Sequence, residues 1–138
     1  VGINKQSLKD FTDVVQSDLE NSKYINDKFY SNSKAKNLIQ RGSSINKIRN
    51  YLMSKGINQK FVKETLDKIK DENEDQDFFS ALKVCKKRRI GPCRVEDNRP
   101  LFYKKDIAVL ARNGFDFDTS KRVMDLSKEE YEKITRLF

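Results

Sequence analysis

Cys85 and Cys93 are the only thiols in the chain, with seven residues between them, and no histidine is present to share a metal with them. Two thiols alone do not make a tetrahedral zinc site, so no metal is expected. Without histidine a triad built on imidazole is excluded, and acid-base work would fall to carboxylates, lysine or tyrosine. The five glycines are never grouped as GxGxxG or GxxxxGK, so no phosphate loop and no bound nucleotide cofactor is expected. The acidic run Glu72, Glu74, Asp75 and Asp77 could be imagined as a magnesium site, but helix capping and solvation explain it more simply. The residue types therefore favour binding over catalysis, and the chain is expected not to be an enzyme.

What remains is positive charge. Lysine and arginine number 29 against 21 acids, for a net +8, and the excess is unevenly placed. Residues 27–57 carry +6 and 83–112 carry +7, while 1–26, 58–82 and 113–138 carry −1, −3 and −1. Such alternation can gather basic blocks on one surface, where they would attract a polyanion or an acidic protein face. The bland alternative is a solvated, lysine-rich surface. Lys86, Lys87, Arg88 and Arg89, with Arg41, Lys47 and Lys55, are the first candidates for partner binding. Arg49, Arg94, Lys104, Lys105, Arg112 and Arg122 complete the set.

The elements that must position these cations are helices. Charged and apolar residues each make up 36% of the chain, with no tryptophan, two prolines and no alternating strand pattern. The centre of the pattern is Ser43 to Ile69. Ser44 stands as an N-cap, Ile45, Ile48, Leu52 and Met53 follow at helical spacing, and Gly56 closes the helix. Asn58 caps a second helix whose Val62, Leu66 and Ile69 share one face. The same grammar recurs 58 residues later, with Ile107, Leu110 and Ala111 before Gly114 and Phe115. A further copy begins at Gly2 and Ile3, with Leu8, Thr12 and Val15 at the matching offsets; Thr12 and Ser120 stand where the central unit has apolar residues.

A repeat of about 50 residues predicts an all-α, elongated, curved array of tandem three-helix units. The units are a first one at 1–42 truncated at its N-terminus, a second at 43–92 and a third at 93–138, with about eight helices in all. Ser7 with Asp10 reads as a weak capping box opening a helix that carries Leu8, Phe11, Val15 and Leu19. A separate helix is expected from Asp27 to Gln40. Asp75 or Asp77 caps the next, which carries Phe78, Phe79, Leu82 and Cys85 inward and ends in Lys86 to Arg89, where cations complement the helix dipole. Gly91, Pro92 and Pro100 mark the longest loop. Helices from about Leu101 to Asn113 and from Asp118 to Leu126 follow, and Ser127 with Glu130 opens the last. Its stripe of Tyr131, Ile134, Leu137 and Phe138 is expected to dock as core. No signal peptide or long apolar run is present, so a cytoplasmic monomer with reduced thiols and no membrane contact is the expectation.

Three stretches of this pattern together resemble the RecX regulatory proteins, bacterial modulators of the RecA recombinase. The first is Arg41-Gly-Ser-Ser44 followed by Ile48-Arg49, Tyr51-Leu52 and Lys55-Gly56-Ile57. The second is Asp77-Phe78-Phe79-Ser80-Ala81 leading into Lys87-Arg88-Arg89-Ile90-Gly91-Pro92, and the third is Lys105-Asp106 with Leu110-Ala111-Arg112, Gly114-Phe115 and Arg122-Val123. The resemblance covers roughly Ile25 to Leu126 and lies in order and spacing. It implies a curved array of three-helix units in the groove of the RecA filament, inhibiting ATP hydrolysis, strand exchange and co-protease activity. It thereby implies roles in homologous recombination, DNA repair and the SOS response, with no catalytic residues to carry over. The alternative from the residues alone is direct binding of single- or double-stranded DNA through phosphate contacts, with a steep dependence on salt.

Overall fold

Between Ile3 and Arg41 the sequence has no glycine or proline, and the chain runs through that stretch as one helix, α1 (Lys5–Gln40). The computed structural model describes residues 5–137 and continues with α2 (Ile45–Ser54), α3 (Gln59–Glu72), α4 (Gln76–Arg88), α5 (Arg99–Arg112), α6 (Phe117–Met124) and α7 (Lys128–Thr135). Two 3₁₀ turns, Gly91–Cys93 and Glu96–Asn98, fill the α4–α5 connection. The fold is all-helical as the sequence predicts, and among the described residues there is no strand. The expected break before Asp27 does not occur, because asparagine and serine weaken a helix without stopping it. Ser7 and Asp10 lie inside α1 and open nothing. Gly2 and Ile3, the expected start of a repeat, fall outside the described residues.

The turns after α2 and α5 are the same structure. Gly56 and Gly114 have φ of 76° and 91°. The Ile57 N–H reaches the Leu52 carbonyl at 3.2 Å, and the Phe115 N–H reaches that of Leu110 at 3.2 Å. Paired with Gly56 to Met53 and Gly114 to Ala111, these bonds satisfy the carbonyls that a helix end leaves open. The end of α1 repeats the arrangement at Gly42, φ 86°, with Ser43 bonded back to Leu38. After α4 the left-handed position is filled by Arg89, φ 55°, which stands just past the helix. Ser44, Asn58 and Ser127 cap as expected, and Ser127 with Glu130 forms the full capping box. Asp75 takes the N-cap position of α4 without a side-chain cap; Asp77 instead accepts the Ile45 N–H at 2.9 Å.

Two apolar clusters hold the helices. One joins Ala35 and Leu38 of α1 to Ile45, Ile48 and Leu52 of α2 and Val62, Leu66 and Ile69 of α3. The other joins Phe78, Ala81, Leu82, Val84 and Cys85 of α4 to Leu110, Phe115, Val123 and Met124, with Ile90 and Leu126. Each large side chain so buried contributes about 1.5–3 kcal/mol. The apolar contacts therefore divide the chain between α3 and α4, whereas the sequence periodicity places its boundaries at residues 42 and 92. Phe79 is only partly buried. Tyr131 and Ile134 of α7 pack on the second cluster, but Leu137 lies past the helix end and is 84% exposed; Phe138 falls outside the described residues. Only the C-terminal part of α1 is covered. Tyr24 meets Phe61 of α3 edge to face at 4.5 Å, while Leu8, Phe11, Val15 and Leu19 stand in solvent.

Candidate basic binding surface

The ends of α1 and α4 and the start of α2 converge beside the α5–α6 turn, and the cations at those ends come with them. Arg41, Lys47, Lys87 and Arg88 line one open cavity of about 350 Å³, floored by Leu38 and Val84 and edged by Gly42, Ser43 and Asn113. Its shape is fixed by backbone. Gly42 sits against α4, where a Cβ would stand 3.0 Å from Lys83 Cβ and 3.3 Å from the Ser80 carbonyl oxygen. Ser44 accepts the Lys47 N–H at 3.1 Å and donates to the Asn113 carbonyl at 2.7 Å, tying the start of α2 to the α5–α6 turn. Asn46 adds a bond from Nδ2 to the Gly114 carbonyl at 3.3 Å. All four cations are exposed, and no carboxylate lines the cavity.

The other predicted cations are scattered, and several are engaged within the fold. Arg94 is committed to Asp106, with Nε–Oδ2 and Nη2–Oδ1 both at 2.8 Å, and Asp106 also accepts the Gly91 N–H at 3.0 Å. Burial pushes the Asp106 carboxyl up, but these donors outweigh it and hold the group below the usual carboxylate value. Arg122 bridges to Asp75 at 3.1 Å and stacks over Phe78, 4.1 Å from the ring centre. Arg49 donates to Asn46 at 2.8 Å, and Arg112 to the carbonyl of Ala108 at 3.3 Å. Lys105 lies near the Phe102 ring, and Lys104 borders a shallow hollow beside Arg99 and Tyr103. Lys86 and Arg89 are exposed on the α4 end without lining the cavity.

Lys55 belongs to a second grouping that the sequence did not suggest. Lys34 and Lys55 approach the Tyr51 ring at 5.2 and 5.5 Å, and the Tyr51 and Tyr30 hydroxyls are 3.4 Å apart. The bond with Tyr30 and the two lysines hold the Tyr51 phenol below its ordinary value. Lys34 and Tyr51 come together only because α1 crosses α2, a contact that no local spacing signals. Both thiols are free; burial pushes Cys85 up to about 12 and raises Cys93 as well. Among the described residues no group of three histidines, cysteines or acids could hold a metal ion, and no helix is long and apolar enough to cross a membrane.

Comparison with known proteins gives a consistent set of relatives. The chain is 34% identical over 107 residues to the Regulatory protein RecX of Myxococcus xanthus, an overlap of 73% of this chain and 54% of that protein. It is 33% identical over 89 residues to the Regulatory protein RecX of Clostridioides difficile, covering 63% of this chain and 40% of the relative. With that of Clostridium botulinum it shares 31% over 106 residues, 77% of this chain and 48% of the relative. The chain thus spans about half the length of the curated relatives it matches. No family model and no solved structure matches it.

Proposed function

We infer that this chain, assigned to the RecX family by its relationship to three regulatory proteins of that name, is a regulator that binds the RecA filament on DNA. In this reading it lowers ATP hydrolysis, strand exchange and co-protease activity by contacting neighbouring protomers. The relationship to those proteins carries the proposal. The surface supports it, because exposed cations occur on α2, at the end of α4 and along α5, each a weak contact of about 0–1 kcal/mol while solvated. Weak patches on one rigid body gain strongly when a partner presents complementary patches at fixed spacing, and a filament does so. The chain then prefers the assembled filament to RecA protomers in solution.

The test compares binding to filament, to free RecA and to naked DNA at one salt concentration. Preference for the filament is expected. Equal affinity for filament and naked DNA rejects the reading in favour of a direct nucleic-acid binder, whose affinity would also fall steeply with salt.

A further inference from the structure

We propose that the cavity lined by Arg41, Lys47, Lys87 and Arg88 is a binding pocket for a phosphate group. It goes beyond the recombinase reading and does not depend on it. The first observation is convergence. Four cations from three helix ends, distant in sequence, face one concavity of about 350 Å³ that no carboxylate lines. Like charges repel, and a fold with 21 acids could have set one among them; the repulsion is relieved by an anion from outside.

Helix dipoles account for part of this charge, and the size of that part decides the matter. Arg41 follows the C-terminus of α1, and Lys87 and Arg88 lie at that of α4. Each C-terminus presents roughly half a negative charge. Two of them offset about one of the four positive charges, and the N-terminus of α2, beginning at Ile45 beside the same cavity, returns about half. About three and a half positive charges are left over. A carboxylate brings one negative charge, whereas a phosphate monoester brings about 1.5–2 and three acceptor oxygens, and a pyrophosphate more. Arginine forks match phosphate oxygens in pairs, and lysine serves as a point charge.

The walls add a second observation. Leu38 and Val84 are each only 8% exposed and floor the pocket between the cations. An apolar floor within a ring of cations suits a phosphate carried on a sugar or base better than a bare ion. Two sources supply that chemistry, the terminal phosphate of a free nucleotide and the diester of a single strand. Either would bind a pocket already shaped by Gly42 and by the Ser44–Asn113 bond, with no rearrangement of backbone.

The experiment uses the unaltered chain, labelled with ¹⁵N and titrated with pyrophosphate, thymidine 5′-monophosphate, a short oligothymidylate and a glutamate-rich peptide of matched charge. Shifts centred on the amides of Gly42, Ser43, Lys47 and Lys87 are expected with the first three. The double variant R41Q/K87Q should weaken their binding at least tenfold, and K9Q/K23Q, the same charge change at exposed positions of α1 away from the cavity, less than twofold. Comparable affinity for mononucleotide and oligonucleotide identifies the free nucleotide as source, and much tighter oligonucleotide binding identifies the strand. Shifts spread evenly over all basic residues, equal losses in the two double variants, or equal affinity for the glutamate peptide would overturn the proposal. The four side chains are exposed, so the variants keep the fold, which an unchanged melting temperature verifies.

Discussion

The Ser44 hydroxyl does two jobs, accepting the Lys47 N–H to cap α2 and donating to the Asn113 carbonyl across the boundary between the two apolar clusters. Ser44 is fully buried, so a missing hydroxyl is not replaced by water at low cost. Ser44→Ala should lose the cap, about 1 kcal/mol, and leave the Asn113 carbonyl short of a partner, for a total of about 2 kcal/mol. Ser127→Ala, at an exposed cap, should cost about half as much. Urea unfolding of both variants checks the ratio, and equal losses would deny the cross-boundary bond any weight.

Ser120 should behave in the opposite sense. It is also fully buried, but its hydroxyl has no hydrogen-bond partner in the structure. Removing an unsatisfied buried hydroxyl relieves a desolvation cost of about 1–3 kcal/mol, against a small loss of packing. Ser120→Ala is therefore expected to match or exceed the parent in stability. A midpoint clearly below that of the parent contradicts this.

Gly56 and Gly114 share a conformation and differ in their neighbours. At Gly56 a Cβ would meet nothing within 4 Å; at Gly114 it would stand 2.5 Å from Ser44 Oγ and 3.3 Å from Asn46 Cβ. Gly56→Ala should cost only the left-handed backbone strain, about 1–2 kcal/mol. Gly114→Ala should cost more, by about 1 kcal/mol for the displaced Ser44 bond. Denaturation of the two variants side by side decides it, since strain alone predicts the same loss for both.

Acid should weaken the α4–α5 connection through Asp106. A carboxyl whose folded value is depressed adds stability above its unfolded value, about 3.9, and that stability disappears as pH falls through the folded value. Asp106→Asn should therefore lose about 1.5–3 kcal/mol at pH 7, where Arg94 loses a charged partner, and much less near pH 3. Asp77 works the other way, because burial raises its carboxyl and proton uptake there is less costly in the folded state. Urea midpoints of parent and variant at the two pH values give the comparison; a gap that does not narrow in acid would remove Asp106 as the source.

Legibility followed locality. The caps at Ser44, Asn58 and Ser127 and the glycines at 56 and 114 depend on residues within one turn of each other, so the sequence displayed them. Gly42 closes α1 by the same bonds, but the sequence before it has no clean apolar stripe to mark a helix end there. The continuity of α1 is not legible in the sequence, because weak helix formers such as Asn26 and Asp27 resemble a boundary when no neighbour is known. Of the basic residues, the sequence could name candidates and could not sort them. Arg94 and Arg122 read like Arg41 and Lys87 until Asp106, 12 residues away, and Asp75, 47 away, are seen beside them. The pairing of α4 with α5 and α6 is likewise a matter of which apolar faces meet, and periodicity shows only that such faces exist.

The long first helix also sets how the molecule moves as a body. Thirty-six residues at 1.5 Å each extend about 54 Å, whereas a compact chain of 138 residues has a radius of gyration of about 14 Å. A shaft of that length, held along its C-terminal half by Ala35 and Leu38 in the first cluster and by the Tyr24–Phe61 contact, gives the molecule one long principal axis of inertia. Rotational diffusion is then faster about that axis than across it, so amide vectors aligned with α1 reorient more slowly than those perpendicular to it. In a crowded solution the same shape makes orientation, as well as position, part of every encounter.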